Sequence, residues 1–155
     1  MMEAVAAIPP FERFYEERQD EIFGYLARLL GREAAEDAFQ ETFLRALRAY
    51  AKLEHGRHLR AWAFRIATNV AVDERRRTVA AEEPDEIPVT DERPAYAELE
   101  HLVGELPPTE RAAVVLRYGY DLSYDDIGDA LGSSGEAARA AASSGVRRLR
   151  RRHSQ

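Results

Sequence analysis

Arginine side chains are the groups in this chain whose number and spacing best suit chemistry, and that chemistry is phosphate binding. Between Thr42 and Arg77 there are nine bases and three acids, a balance of +6. Because salt screens charges over roughly 8–10 Å, such a patch acts separately from distant acids. Solvated helix faces and a basic helix C-terminus explain the same composition about as well. A second basic group lies near the C-terminus, at Arg147, Arg148, Arg150, Arg151 and Arg152.

The rest of the chain is acidic, and its formal net charge of −6 over 155 residues argues, taken whole, against a nucleic-acid-binding protein. Residues 1–41 hold ten acids and four bases, and residues 78–97 hold six acids and one base. The net charge therefore hides a basic segment between two acidic ones.

Metal, thiol and nucleophile chemistry are not indicated by the residue types. The chain has no cysteine, which excludes disulfides and thiolate metal sites. Of the four histidines, His55 and His58 form the one close pair, but helical zinc motifs add a third ligand and an adjacent base. No glycine-rich phosphate loop or nucleophile motif stands out. We therefore expect no metal, no cofactor, no small-molecule substrate and no enzymatic activity.

The sequence also bears on location. No apolar run approaches the roughly 20 residues that cross a bilayer. The N-terminus carries acids where a secretory signal needs bases. We expect a cytoplasmic protein without membrane insertion.

Helical spacing of apolar residues organises the first half of the chain. One helix is predicted from Phe11 to a stop at Gly31, and a second from about Ala34 to Ala51. Residues 52–58 are polar and contain a glycine, so they read as a loop, and a third helix begins near Leu59. The predicted inward stripes are Phe39, Phe43, Leu47 and Tyr50 on the second helix, and Leu59, Trp62, Ala63, Ile66 and Val70 on the third.

An acidic linker separates this half from the next. From 78 to 97, prolines interrupt a stretch with few large apolar residues, a composition that cannot bury enough surface to fold alone. We therefore predict two small helical domains, at 1–77 and 98–155, whose thin cores would lean on a partner. No strand-like alternation extends beyond a few residues, so the predicted fold class is all-α.

The second half also reads as helices, which resume near Tyr96. Thr109, after two prolines, is predicted to cap one helix, and Ser123 a shorter one that ends at Gly132. The last helix is predicted from Glu136 to Arg152, and Gly145 should weaken it by up to about 1 kcal/mol relative to alanine.

A short helix, a glycine-containing turn and a second helix have the spacing of a helix-turn-helix, although many helical hairpins share it. Three motifs follow one another along the chain: Glu36-Asp37 with Gln40-Glu41-Thr42-Phe43-Leu44-Arg45, then Leu59-Arg60-Ala61-Trp62, and then Leu106-Pro107-Pro108. With these motifs in this order, the chain resembles the extracytoplasmic-function group of bacterial sigma factors. Residues 11–77 resemble sigma region two, and residues 98–152 resemble sigma region four.

The resemblance implies a promoter-specificity subunit of RNA polymerase. Its expected partners are the polymerase core, through the largest-subunit coiled coil and the flap region, promoter DNA, and an anti-sigma factor. A mixed acid, amide and base surface suits an oriented, reversible protein contact, while an ordinary solvated face is the alternative. The residues implied for polymerase binding are Asp37, Gln40, Glu41, Leu44, Arg45 and Arg48.

The resemblance also assigns the third helix to the opening of the minus-ten promoter element. A melting protein must hold single strands through phosphate contacts and pockets for unstacked bases. The loop at 52–58 could form a wall of such a pocket, whereas Trp62 is expected to pack in the core. The residues implied are Arg60, Arg65, Asn69, Arg75, Arg76 and Arg77.

The recognition helix departs from the family pattern. Between Ser133 and Ser144 it is rich in alanine, and Arg139 is its one basic residue. Since each bidentate base contact contributes roughly 1–3 kcal/mol of discrimination, such a helix should bind the minus-thirty-five element weakly. The alternative function is a sigma-like regulator that binds polymerase or an anti-sigma partner but reads DNA poorly. The residues implied for the helix-turn-helix contact are Ser134, Glu136, Arg139, Ser143, Arg147 and Arg148.

The acidic linker has two interpretations. In the family, this segment threads toward the RNA exit path of the polymerase, where carboxylates could mimic an RNA backbone. An unstructured, solubilising tether explains its composition as well.

Overall fold

Six α-helices form the regular structure of the described part of the chain, residues 7–81 and 106–153 of a computed structural model. The first three are α1 (Phe11–Leu30), α2 (Arg32–Tyr50) and α3 (Leu59–Ala81). Gly31 separates α1 from α2 with a positive φ of 85°, a conformation that glycine adopts without strain. The predicted stop at Gly31 and the all-α fold class are confirmed.

The second group comprises α4 (Pro108–Val114), which runs into a π-helical turn (Val115–Gly119), then α5 (Tyr124–Leu131) and α6 (Gly135–His153). The hydroxyl of Ser123 accepts a hydrogen bond from the amide of Asp126 at 3.1 Å, as predicted for an N-cap. Gly132 ends α5 in the left-handed conformation, again as predicted. The linker was predicted to begin at residue 78, but α3 continues to Ala81. The rest of the predicted linker and the helix expected near Tyr96 lie outside the described residues.

Aromatic packing fills the core of α1, α2 and α3. The ring of Phe14 lies within 5.5–6.1 Å of the rings of Phe43, Tyr50 and Trp62. Tyr25 is fully buried, and its hydroxyl lies 2.7 Å from that of Thr68 on α3. Trp62 therefore packs inward, in agreement with the sequence prediction.

Two inward stripes differ from the predicted ones. Leu47 was placed in the core by spacing but is 52% exposed, beside the 47% exposed Leu44. On α3, the fully buried large side chain is Phe64, while Trp62 and Ile66 are half-buried. Apolar residues occur on more than one side of each helix, so spacing alone cannot say which stripe the neighbouring helices cover.

The start of α4 also differs from expectation. Thr109 lies inside the first turn, and the N-cap residue is Pro107, whose missing amide hydrogen leaves one fewer donor to satisfy. Tyr118 lies in the π-helical turn that follows α4 and is 65% exposed.

The core between α4 and α6 depends on small residues. Ala138, Ala142 and Gly145 are buried on α6. A Cβ atom at Gly145 would lie 2.6 Å from Cγ2 of Val114. Gly145 weakens α6 relative to alanine, but its missing Cβ atom allows the close approach of α4.

The two groups of helices pack against each other and share one cluster of buried residues. The ring of Tyr120 lies 5.4 Å from that of Phe64 and 6.4 Å from that of Tyr25. Arg111 is 8% exposed and donates to the carbonyl oxygens of Leu29 at 3.0 Å and Leu106 at 3.1 Å. Burial lowers the pKa of Arg111, and the charge of Arg75 acts in the same direction. A cation at the C-terminal carbonyls of α1 is favourable for the helix dipole.

Candidate protein and nucleic-acid interfaces

The outer face of α2 combines charged, amide and apolar side chains. Asp37, Gln40 and Arg48 are exposed, and they flank the exposed Leu44 and Leu47. All six residues predicted to bind a protein partner lie on this helix. They share one face of it, because residues three and four positions apart are neighbours on a helix surface. Leu47 belongs to the same surface, which we call the α2 face, although its spacing had suggested a core position.

Arg45 links the α2 face to α3. Its guanidinium donates to Glu41 at 2.9 Å and to Asp73 on α3 at 3.1 Å. The hydrogen bond to Glu41 is the main cause that raises the pKa of Arg45, and Asp73 adds to it. The pair of carboxylates holds the guanidinium in one orientation beside the apolar residues.

A second candidate surface lies where the loop before α3 meets the helix. The loop residues 52–55 and 57–58 line a cavity of about 400 Å³ together with Trp62, Arg65 and the α5 residue Asp129. Arg65 and Asn69 are exposed one turn apart on α3. We call this surface the melting face, after the predicted role of its residues; it offers a cation, an amide and a wall of loop residues.

Arg60 is near the melting face but is not free in the described structure. Its guanidinium donates to both carboxylate oxygens of Glu21 at 3.2 Å and to the carbonyl oxygen of Tyr120 at 2.8 Å. Of the two predicted DNA-binding arginines nearest the loop, Arg65 is exposed and Arg60 lies at the contact between the two helix groups.

The remaining predicted arginines of α3 lie at its C-terminal end. Arg75 is half-buried, whereas Arg76 and Arg77 are exposed. Arg77 pairs with Glu74. These groups lie several turns from Arg65, so they could follow a backbone but not line the same cavity.

His58 contacts α5 rather than a metal ligand set. It has a φ of 58°, and its Nδ1 lies 3.6 Å from Oδ1 of Asp126. His55 accepts a hydrogen bond from the amide of Arg57 at its Nδ1. Within residues 7–81 and 106–153, no group of three or more His, Asp or Glu side chains is arranged to hold a metal ion.

The start of α6 carries a third candidate surface, around a stacked arginine. The guanidinium of Arg139 lies 5.1 Å from the ring centroid of Tyr124, and that of Arg117 lies 4.4 Å from it. Such stacking is favourable because the ring face is electron-rich. A cavity of about 470 Å³ opens beside the stack, lined by Tyr124, Asp125, Gly135, Glu136, Arg139, Ala140 and Ser143.

Further along α6, the predicted basic residues are not equivalent. Arg147 is exposed, whereas Arg148 lies 2.8 Å from a carboxylate oxygen of Glu110. The hydroxyl of Ser144 donates to the other oxygen of Glu110 at 2.7 Å. Sequence reasoning missed Glu110 and Tyr124, because their effect depends on how α4 and α5 pack against α6.

Among the residues that the structure describes, no helix combines the length and apolarity that a bilayer crossing requires.

Comparison with protein families identifies both helix groups. The family "Sigma-70 region 2" matches residues 14–80, and "Sigma-70, region 4" matches residues 102–151.

Two curated relatives cover most of the chain. The ECF RNA polymerase sigma factor SigE of Mycolicibacterium smegmatis is 34% identical over 82% of this chain. The RNA polymerase sigma factor CarQ of Myxococcus xanthus is 33% identical over 90% of it. The chain spans 55% of the length of SigE and 87% of that of CarQ.

Solved structures share the fold at lower identity. The sigma factor RpoE in complex with the anti-sigma factor NepR from Bartonella quintana superimposes with a TM-score of 0.76 at 20% identity. That match covers 91% of this chain and 94% of RpoE. CnrH in complex with the cytosolic domain of CnrY gives 0.69 at 23% identity, with 90% and 84% of the two chains covered.

Proposed function

Because the chain belongs to the sigma-70 family, in its extracytoplasmic-function group, we propose that it binds core RNA polymerase and directs promoter recognition, DNA melting and transcription initiation. Its role is that of an initiation factor without catalytic activity of its own, acting in the cytoplasm where the polymerase works. The domains proposed are a region-two domain at 1–77, an acidic linker at 78–97 and a region-four domain at 98–155.

The α2 face is the proposed docking surface for the largest-subunit coiled coil of the core. Its apolar centre, Leu44 and Leu47, is exposed and lies among charged and amide groups. Protein interfaces commonly pair an apolar centre with a polar rim. Arg45, held by Glu41 and Asp73, presents a pre-oriented cation at the edge of that centre. Less ordering of this side chain is then required on binding.

The melting face is the proposed contact for the opened minus-ten element. The observation that carries this proposal is the placement of two exposed residues on α3. Arg65 lines the cavity formed by the loop at 52–58, and Asn69 lies one helical turn further along α3. A flipped base needs a pocket and an amide that can bond its edge, and the adjacent phosphate needs a cation. Arg60, Arg75, Arg76 and Arg77 would extend the phosphate contacts along α3.

The region-four surface supports a weaker contact with the minus-thirty-five element. Arg139 can approach a guanine or a phosphate from the start of α6, with Ser134, Glu136 and Ser143 around it. Arg148 and Ser144 are engaged by Glu110, so less of α6 is available to phosphate than its composition suggests. These pairs favour the second candidate function, a sigma-like regulator that binds polymerase or an anti-sigma factor but reads DNA poorly.

An anti-sigma factor is a further proposed partner, together with the flap region of the polymerase for the second domain. The sigma factor RpoE was solved with an anti-sigma factor, and CnrH, which shares the fold, was solved with the cytosolic domain of CnrY. The fold that they share with this chain makes the same class of partner the first to test.

Run-off transcription with purified core polymerase and a library of promoter fragments tests the proposal. Promoter-specific transcripts would support the sigma-factor function. Stable binding to core without initiation would support the second candidate. Absence of both would contradict the sigma-factor function and any function that acts through core polymerase, and it would leave the second candidate only an anti-sigma factor to bind.

A further inference from the structure

An acidic residue lies within the row of α3 side chains that the proposed function assigns to DNA. Arg65, Asn69 and Asp73 follow one another at intervals of four residues, and Arg76 comes three residues later. All four are exposed, and side chains three or four positions apart are neighbours on a helix surface. We call these four residues the α3 row. Asp73 thus lies one helical turn from both Asn69 and Arg76.

A carboxylate at this position works against phosphate binding. One turn of helix rises by about 5.4 Å, which is less than the roughly 8–10 Å over which salt screens a charge. The negative charge of Asp73 therefore repels the phosphates that Arg76 attracts, and to a smaller extent those that Arg65 attracts. A strand can follow the whole α3 row only when another group neutralises this charge.

Arg45 of α2 is placed to neutralise Asp73. Its Nη2 donates to Oδ2 of Asp73 at 3.1 Å, and its Nε donates to a carboxylate oxygen of Glu41 at 2.9 Å. The bond to Glu41, four residues earlier on α2, fixes the direction in which the guanidinium leaves its own helix. The side chains of Arg45 and Asp73 are 37% and 55% exposed, so the pair lies at the surface, beside the rest of the α3 row.

We infer that Arg45 is a positioning residue for promoter DNA as well as a member of the α2 face. By pairing with Asp73, it removes from the α3 row the charge that would repel a bound strand. The inference rests on the proposed function. Arg45 acts on the DNA through Asp73 and does not itself contact the strand. The α2 face and the α3 row are then coupled, because a partner that takes the guanidinium from Asp73 returns a negative charge to the row.

The test measures binding of the full chain to a fluorescent single-stranded DNA oligonucleotide of mixed sequence, by anisotropy at fixed salt. Arg45→Met keeps the aliphatic stem and removes the charge, and we expect affinity to fall by on the order of threefold. Adding Asp73→Asn removes the carboxylate that is left unpaired and should restore the affinity of the parent. Asp73→Asn alone should have a smaller effect, because Arg45 already neutralises that residue. An equal effect of Asp73→Asn in both backgrounds would overturn the inference.

Arg32→Met and Glu33→Gln are the matched controls for net charge. Both residues are exposed at the start of α2, about 18–20 Å along the helix axis from Arg45. Arg32→Met makes the same change in charge as Arg45→Met and should weaken binding less. Glu33→Gln, in the Arg45→Met background, makes the same change as Asp73→Asn and should not restore binding. If either control matches its counterpart, net charge is sufficient and the inference is wrong.

A second measurement separates this role of Arg45 from its role in polymerase binding. Each variant is added to core polymerase at a saturating concentration, and open complexes are measured by permanganate reactivity. We expect Arg45→Met to lower the affinity for core, and Asp73→Asn to restore promoter opening without restoring that affinity. Recovery of both would show that Arg45→Met acts by disturbing the contact between α2 and α3, and it would overturn the inference.

The parent chain distinguishes this inference from the proposed function. If the parent binds the oligonucleotide and opens promoters but Arg45 and Asp73 show no coupling, the inference fails and the proposed function stands. If the parent does neither, the assignment of the melting face fails, and the inference fails with it.

Discussion

Gly24 lies directly against the hydroxyl of Tyr120, so that a Cβ atom at Gly24 would be 2.6 Å from that oxygen. Gly24→Ala should therefore displace the side chain of Tyr120, which packs against Tyr25 and Phe64, and weaken this part of the contact between the two helix groups. The same change favours α1 itself, because alanine in a helix interior is better than glycine by roughly 0.5–1 kcal/mol. We expect a larger radius of gyration in small-angle scattering.

The control for this variant is Gly119→Ala. A Cβ atom there would meet only Cγ1 of Val115, at 3.8 Å, an ordinary contact. If Gly24→Ala and Gly119→Ala scatter alike, Tyr120 is not what holds the two groups together.

Leu47 should contribute to polymerase binding although its spacing suggests a core residue. Leu47→Ser removes apolar area from the α2 face, and we expect affinity for core polymerase to fall by about 1–2 kcal/mol. Since the side chain is 52% exposed, the thermal unfolding midpoint should change little. Leu47→Met preserves area and volume and should bind normally. A loss of affinity in both variants, or in neither, would contradict the assignment.

Tyr124 should position Arg139 for duplex DNA. Tyr124→Leu removes the ring on which the guanidinium lies, and we expect affinity for duplex DNA to fall by about 0.5–1 kcal/mol. Tyr124→Phe retains the ring and should bind as the parent does. In an Arg139→Ala background the Tyr124→Leu change should have no further effect, and full additivity in this double-mutant cycle would refute the coupling.

The free energy of unfolding should fall in alkaline solution because the phenol of Tyr25 is buried in its neutral form. Burial raises the pKa of its phenol, with a smaller upward contribution from Tyr120, while the hydrogen bond with Thr68 acts in the opposite direction. The unfolded chain then ionises near pH ~10, where the folded chain still holds the proton. The stabilisation is thus fully present below about pH 10 and is lost as the pH rises further.

Urea unfolding at several pH values checks this. Tyr25→Phe should lower stability near neutral pH by about 1 kcal/mol, because the bond to Thr68 is lost, and should flatten the alkaline decline. Tyr118→Phe, at an exposed tyrosine, serves as the control. A decline of the same slope in Tyr25→Phe would show that other groups cause it.

Local signals in the sequence predicted most of the helix boundaries. Gly31, Ser123 and Gly132 act through their own backbone conformation or side chain, so their effect is visible without knowledge of the fold. Leu47 was misplaced because its exposure depends on which neighbouring helices cover α2.

The candidate sites divide in the same way, into groupings within one helix, which the sequence predicts, and contacts between helices, which it does not. Residues on a single helix, such as those of the α2 face, could be grouped from spacing alone. The partners of Arg60, Arg139 and Arg148 could not, because Tyr120, Tyr124 and Glu110 reach them only through tertiary packing.

Promoter opening by the polymerase holoenzyme tests the central claim most directly. Arg65→Ala with Asn69→Ala should leave binding to core polymerase unchanged, since neither residue lies on the α2 face, and should abolish open complexes detected by permanganate reactivity of unpaired thymines. Wild-type protein should give such complexes and run-off transcripts from the same template. Undiminished opening by the double variant would contradict the assignment of the melting face.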